Sequence, residues 1–254
     1  FSPDGSLLYA TESDFEAAMA ALRQSFYRHD LVVLGSSFLS NGKLDGIEPG
    51  WAKELLAAGP ATHILIEADG AARLPIKGYA SFEPVLPRDA DLIIPLQGLD
   101  ALGSTVADKF IHRAALFAEA TGAPPGEPLT PFHFSRSLLQ MIDRGREQAP
   151  RARILPLLNK IDLLMEPGCG LLHALAAEPA SSSRVDKILF AALQKESPIK
   201  FVLDLSSGVP TPVVSCIMLA AGSSRRMGRD KLFMPLKGKT VLEHALQNAA
   251  TAGV

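Results

Sequence analysis

Short apolar runs alternate with amphipathic stretches along most of the chain, and that alternation sets the expected architecture. Phe15, Met19, Leu22 and Phe26 recur at helical spacing behind Ser13, and Ser13 followed by Glu16 has the form of a capping box, so a helix is expected from about 13 to 28. "LVVLG" at 31–35 and "HILIEAD" at 63–69 are short, apolar and β-branched, as strands buried on both faces of a parallel sheet would be. Between them lie a Gly/Pro loop (Gly42, Gly46, Pro49, Gly50) and a short helix in "WAKELLAAG". The pattern continues with a strand in "DLIIPL", a helix around 107–120 and a second helix behind Thr130 as N-cap. A strand in "RILPLLN" (153–159), a helix in "RVDKILFAALQK" and a strand in "IKFVLDL" (199–205) complete it.

Repeated strand-helix-strand units predict an α/β fold with a parallel sheet flanked by helices, whose ligands bind at the carboxyl ends of the strands. "SSGVPTPVVS" at 206–215 separates a finished strand from a fresh apolar run. It divides the chain into expected domains 1–208 and 209–254.

Composition removes several classes of function. At 254 residues and 47% apolar content the chain can bury a substantial core, and a formal charge of −2 supplies no basic field for wrapping a phosphate backbone, so nucleic acid is not an expected partner. No run approaches the ~20 apolar residues of a membrane helix. Cys169 and Cys216 are the two cysteines, neither at ligand spacing from another Cys or His, which suits a reducing cytoplasm and argues against both a disulfide framework and a zinc site. The opening residues, without a Met, a basic leader or a signal-type apolar core, read as an internal start; both ends are expected to be cut.

Three stretches carry candidate chemistry. In "ILIEADGAARLPIKG", Glu67 and Asp69 close an apolar strand ahead of Gly70, where two carboxylates either meet a divalent cation or a phosphate-metal complex, or cap a turn and pair with Arg73 or Lys77. In "ILPLLNKIDLL", Asn159, Lys160 and Asp162 follow a strand in the Asn-Lys-x-Asp pattern by which P-loop GTPases read guanine. There the carboxylate accepts from ring and exocyclic N–H groups, in charge-assisted bonds of about 1.5–3 kcal/mol each. The alternative is a solvated turn. No Gly-x-x-x-x-Gly-Lys-Ser/Thr loop lies in the chain, and "GSSFLSNGK" lacks its spacing. His112 and Arg113 have a weaker claim, and His29, His63, His133, His173 and His244 are expected to be surface or half-buried residues without a role.

Taken together, "GKLDGI" (42–47), "LIEADGAARLPIKG" (65–78), "FEPVLP" (82–87), "GLDALG" (98–103), "HR" (112–113) and "LNKID" (158–162) resemble the YqeC family across roughly residues 30–165. The resemblance implies a P-loop NTPase-like fold and a role as accessory protein of selenium-dependent molybdenum hydroxylases. It puts Glu67 and Asp69 at the acidic metal and phosphate position, Arg73 and Lys77 beside it as basic candidates, and Asn159, Lys160 and Asp162 at the base position. It also implies an amino-terminal Gly-Lys-Thr phosphate loop, expected to precede Phe1.

The third stretch, "VVSCIMLAAGSSRRMGRDK", is an apolar strand running into Leu219-Ala220-Ala221-Gly222-Ser223-Ser224, then Arg225, Met227, Gly228 and Lys231. Small side chains let backbone N–H groups approach a triphosphate while Arg and Lys neutralise it. The stretch resembles the opening of molybdenum-cofactor nucleotidyltransferases of the MobA and MocA type, with "KTVLEHALQNAATAGV" as the first helix of a Rossmann-like β-loop-α unit. The resemblance implies that Leu219 to Ser224 and Gly228 grip CTP or GTP, that Arg225 and Lys231 are the catalytic cations, and that a nucleotidyl group passes to molybdopterin with Mg2+. A molybdenum hydroxylase apoenzyme is the implied protein partner. The magnesium-binding Asp and pterin-binding half are expected beyond Val254, leaving this stretch without catalysis by itself. Against this reading stands a GTPase-like switch, metallochaperone or scaffold that performs no group transfer.

Overall fold

The computed structural model describes residues 8–11, 14–40, 42–164, 167–181, 185–206, 234–241 and 243–244. The chain divides into two compact units, Phe1–Gly208 and Val209–Val254.

The first unit is mixed α/β, with parallel strand pairs and helices, in two apolar clusters. The smaller cluster joins β2 (Val32–Gly35), whose backbone pairs in parallel with β1 (Leu8–Thr11), to α1 (Phe15–Ser25) and α2 (Trp51–Ala58). Met19, Leu22 and Leu55 are buried there, with Phe15 edge-on to Trp51 at 5.7 Å between ring centroids. The N-cap of α1 is Asp14, whose carboxylate accepts from the Ala17 N–H at 3.0 Å, and not the expected Ser13, which lies outside the described residues. A carboxylate ranks level with a serine hydroxyl as a cap acceptor and, unlike it, carries charge matched to the helix dipole.

The larger cluster holds a four-stranded sheet in the order β10 (Ile199–Asp204), β9 (Lys187–Ala191), β8 (Leu157–Asn159), β5 (Leu96–Gly98). The β5–β8 and β8–β9 pairs are parallel and β10 is antiparallel to β9. Proline divides the longer strands expected from sequence. Pro95 separates β4 (Leu92–Ile93) from β5, and Pro156 separates β7 (Arg153–Ile154) from β8, because a proline nitrogen cannot donate to a ladder. A further parallel pair joins β3 (Ile76–Lys77) to β6 (Ile111–His112).

One face of the sheet is covered by α4 (Pro131–Gln148), which begins at Thr130 with a capping box closed by His133 and with Pro131 at its first position. Phe134, Leu138 and Ile142 of α4 are fully buried against Leu158, Ile188 and Phe190. On the same face Gln97 donates to Ser137 Oγ at 2.8 Å. The alternate residues Leu92, Ile94 and Leu96 are each about half exposed (47, 50 and 49%).

Three expectations fail here. Residues 63–69 run extended without a strand ladder among the described residues, and Leu65 is 93% exposed; apolar, β-branched content alone does not supply a pairing partner. The helix expected over 107–120 starts only at Ala114, as α3 (Ala114–Thr121), because Ile111–His112 pair with β3 and Arg113 turns the chain at φ 56°. "RVDKILFAALQK" is not a helix: its centre is β9, flanked by β8 and β10, while the helix is α5 (Cys169–Ser181). Val185, Ile188, Leu189 and Ala192 fit helical spacing, but an unbroken apolar run in a central strand fits it equally well, and Gly168, Gly170 and Pro179 concealed α5.

In the second unit the described residues form a hairpin of β11 (Pro235–Leu236) and β12 (Lys239–Thr240). The helix expected from Lys239 therefore starts later. Thr240 caps it, its Oγ1 accepting from the Glu243 N–H at 3.1 Å while Glu243 Oε2 accepts from the Thr240 N–H at 2.6 Å. Leu219, Ala220, Ala221, Gly222, Ser223, Ser224, Arg225, Gly228 and Lys231 lie outside the described residues.

Phe134→Ala opens a cavity at the centre of the larger cluster and is expected to lower unfolding stability by about 3–5 kcal/mol. A urea midpoint unchanged within error would show that the sheet does not close on α4 as described.

Candidate functional site

The strands β5, β8 and β9 run in parallel, so their carboxyl ends meet at one edge, the position at which open α/β sheets bind ligands. Asp100 lies just beyond β5; Asn159 closes β8 and Lys160 and Asp162 follow it; Leu193 and Lys195 follow β9. Asn159 Oδ1 accepts from the Leu193 N–H at 3.1 Å, which pins the loop after β9 and leaves the carboxamide nitrogen as the remaining donor. Lys160, in the left-handed region at φ 65°, places Nζ 2.6 Å from Asp100 Oδ2. Asp162 Oδ2 is 3.5 Å from Lys195 Nζ. Two acid-lysine pairs thus flank Asn159, one toward β5 and one toward β9, with half-exposed Leu193 as an apolar surface beside them. The Asp162 side chain is 29% exposed, so a ligand carrying adjacent N–H donors can reach it and compete with a loosely held ammonium.

The acidic motif is arranged differently. The Lys77 side chain is 3% exposed and its ammonium donates to Gly70 O at 2.9 Å, with Glu83 Oε1 at 3.2 Å and Asp69 Oδ2 at 3.6 Å. The other oxygen of Glu83 accepts from Arg113 and from the Ala80 N–H, and Arg144 donates to the carbonyls of Ala80 and Glu83. Burial pushes the Asp69 carboxyl above its ordinary range, opposed by the Lys77 charge and assisted by Glu83. For Glu83, burial acts upward but is outweighed by the Ala80 N–H, Arg113 and Lys77, and the carboxyl titrates below its ordinary range. Burial, with the charges of Asp69 and Glu83, raises the Tyr79 hydroxyl strongly.

Asp69 therefore meets Lys77, one of the two partners its sequence allowed, while Glu67 is exposed. Among the described residues no group of three or more His, Cys, Asp or Glu side chains is placed to hold a metal ion. A divalent cation does not fit beside an Asp69 oxygen already facing an ammonium.

Arg73 sits elsewhere. Leu74 N–H donates to Ala71 O at 2.9 Å across a turn whose two central residues, Ala72 and Arg73, have φ of 51° and 62°. Left-handed geometry costs about 1–2 kcal/mol per non-glycine residue. The next residue but one, Pro75, accepts from the Gly98 N–H at 2.8 Å, and a Cβ on Gly98 would lie 2.9 Å from Pro75 Cβ, so glycine permits the approach. The Arg73 turn is thereby fixed to the end of β5, whereas Lys77 is enclosed.

Sequence reasoning missed Asp100, Leu193 and Lys195. Asp100 lies within the "GLDALG" motif directly after a strand, which was signal enough. Lys195 was hidden because its strand was read as a helix.

Comparison with known proteins identifies two domains. The YqeC protein family matches residues 2–115, and the MobA-like NTP transferase domain matches residues 216–254. The chain thus matches the YqeC family model over its amino-terminal side and the MobA-like NTP transferase model over its carboxyl side, where the motifs carry the same resemblances. The Escherichia coli (strain K12) protein described as "Uncharacterized protein YqeC" is 33% identical over 90 residues, 35% of this chain and 35% of the relative. The aligned stretch spans about a third of the length of that curated relative. No solved structure matches.

Lys77→Met leaves Asp69 and Glu83 without their shared cation and is expected to cost about 3–5 kcal/mol at pH 7. The sign with pH follows from the two carboxyls. Asp69, raised, favours folding at low pH and loses that contribution as pH rises through its folded value. Glu83, lowered, contributes above its ordinary value and loses it as pH falls through its folded value, partly because Lys77 is there to pair with it. Removing Lys77 raises both, so the deficit relative to wild type should be largest at pH above the folded values of the two carboxyls and shrink as pH falls through them. A pH-independent deficit in chemical denaturation would mean that the loss is packing alone.

Proposed function

We propose that the chain serves the maturation of molybdenum hydroxylases. In this reading the YqeC-like unit binds a guanine nucleotide on a P-loop NTPase-like framework. The following MobA/MocA-type domain transfers a nucleotidyl group from CTP or GTP to molybdopterin. The observation that carries the reading is the adjacency in one chain of a YqeC match and a MobA-like NTP transferase match, the second containing the Leu219 to Lys231 loop.

The chemistry expected of the second domain is a phosphoryl-type displacement. A terminal phosphate oxygen of molybdopterin attacks the α-phosphorus of the triphosphate, the bond from that phosphorus to the bridging oxygen breaks, and pyrophosphate leaves. Residues Leu219 to Ser224 and Gly228 supply backbone donors and close approach; Arg225 and Lys231 neutralise charge as it moves onto the leaving group. Magnesium, arriving with the triphosphate, supplies further charge neutralisation. In the first unit, Asn159, Lys160 and Asp162 read the base, with Asp162 accepting from neighbouring N–H donors that guanine offers and adenine does not. A molybdenum hydroxylase apoenzyme in the cytoplasm is the partner that receives the finished cofactor.

A second reading, a scaffold without group transfer, is favoured by one observation: Asp69 is engaged with Lys77 in an ion pair.

The deciding experiment uses the full-length protein with molybdopterin, Mg2+ and each NTP in turn. CTP or GTP should support nucleotidyl transfer, and the double variant Arg225→Ala, Lys231→Ala should reduce it by about 10²-fold or more. Absence of transfer with every NTP would remove the transferase reading and leave the switch or scaffold.

A further inference from the structure

Of the two basic candidates in "DGAARLPIKG", the structure encloses Lys77 and leaves Arg73 exposed, and among the described residues no hydrogen bond or ion pair reaches the Arg73 guanidinium. We infer that the Ala71–Leu74 turn is a strained mount that presents Arg73 to the phosphates of a nucleotide whose base lies on Asn159 and Asp162. The inference rests on the base-site reading given above and adds the choice of Arg73 over the enclosed Lys77, with the turn that mounts it.

Three observations meet at this turn. Its two central residues are left-handed without being glycine, asparagine or aspartate, the residue types that adopt that geometry at least cost. Strain of this kind persists only where surrounding structure over-determines it, and it clusters at ligand-binding sites. The over-determination is visible on both sides: Lys77 grips Gly70 O and faces Asp69 before the turn, and the Gly98 N–H grips Pro75 O after it. Finally, Gly98 is paired in register with Asn159, so the turn flanks the same carboxyl edge as the base-site residues.

The spacing suits one ligand. Pro75 takes an N–H of β5 that the ladder to β8 does not use, which puts the turn about two strand spacings, ~10 Å, from β8. That is the order of distance separating the base of a nucleoside triphosphate from its outer phosphates. Near the edge, Lys160 and Lys195 face Asp100 and Asp162. Arg73 brings an uncommitted, permanently charged fork of donors suited to bidentate contact with phosphate oxygens.

The test compares guanosine, GDP and GTP binding to the full-length protein, in an Arg225→Ala, Lys231→Ala background that silences the second domain. The variants are Arg73→Ala, Arg73→Gly and Asp162→Ala. Arg73→Ala is expected to weaken GTP and GDP by about tenfold or more and leave guanosine within twofold. Arg73→Gly should show the same loss while its thermal midpoint rises by about 2 °C, because glycine relieves the left-handed strain. Asp162→Ala should weaken all three ligands. If Arg73→Ala binds GTP as the parent does while Asp162→Ala does not, the inference is overturned and the base reading stands. If Asp162→Ala binds all three normally while Arg73→Ala loses GTP and GDP selectively, the base reading falls and the phosphate role of Arg73 remains. A midpoint that drops in Arg73→Gly would overturn the strained-mount argument.

Discussion

The ammonium of Lys77 is enclosed by protein and faces Gly70 O, Asp69 and Glu83. Removing a charge of that kind from water costs several kcal/mol, returned only if its partners hold their positions closely. Those positions belong to separate parts of the chain: the 63–69 run, the turn that follows it and the loop at 80–83, whose Glu83 is held in turn by Arg113 at the start of α3 and by Arg144 in the last turns of α4. Lys77, with Arg113 and Arg144 around the same Glu83 loop, thus joins five segments, of which α4 alone has a large apolar face of its own. Gly78 shows how tight the enclosure is, since a Cβ there would lie 2.3 Å from the Phe117 nitrogen. Buried ionic clusters are weak as sources of net stability, but they strongly penalise alternative arrangements of the same loops.

With those loops fixed, the strand edge becomes specific. Parallel pairing of β5, β8 and β9 collects three loop starts side by side: the β8 loop brings Lys160 and Asp162, which meet Asp100 of the β5 loop and Lys195 of the β9 loop. The resulting row, Asp100, Lys160, Asn159, Asp162 and Lys195, is held by contacts between neighbouring loops and not within any one of them. Each loop therefore depends on the next for its shape, and disturbing one moves the others.

Much of this was legible in the sequence, and the failures have physical reasons. β2, α2, α4 with its Thr130 cap, and β10 announce themselves by apolar periodicity and capping chemistry, which are local. The 63–69 stretch and β9 misled because strand identity is a property of pairs: Leu65 and Ile66 have strand composition and no ladder, while Ile188 and Phe190 have helix-compatible spacing and a neighbour on each side. At the site, Asn159, Lys160 and Asp162 could be picked out because they are contiguous. Lys195 could not, since its relation to Asp162 exists only once β8 and β9 are side by side. Asp69 was recognised as an acid needing compensation, but the choice between a metal ion and Lys77 depended on a turn whose left-handed residues carry no glycine to mark them.

The half-exposed row of Leu92, Ile94 and Leu96 bears on how the protein behaves at high concentration. Leu92 and Leu96 lie on outermost strands of their sheets among the described residues, with Ile94 between them, and beyond the Gly98 N–H taken by Pro75 such an edge with apolar side chains is a template for adding another strand. Neither a charged residue nor a bulge interrupts the three positions, and Pro95 alone breaks the run. Association through these three residues would leave the core on the opposite face, around Gln97 and Leu158, undisturbed.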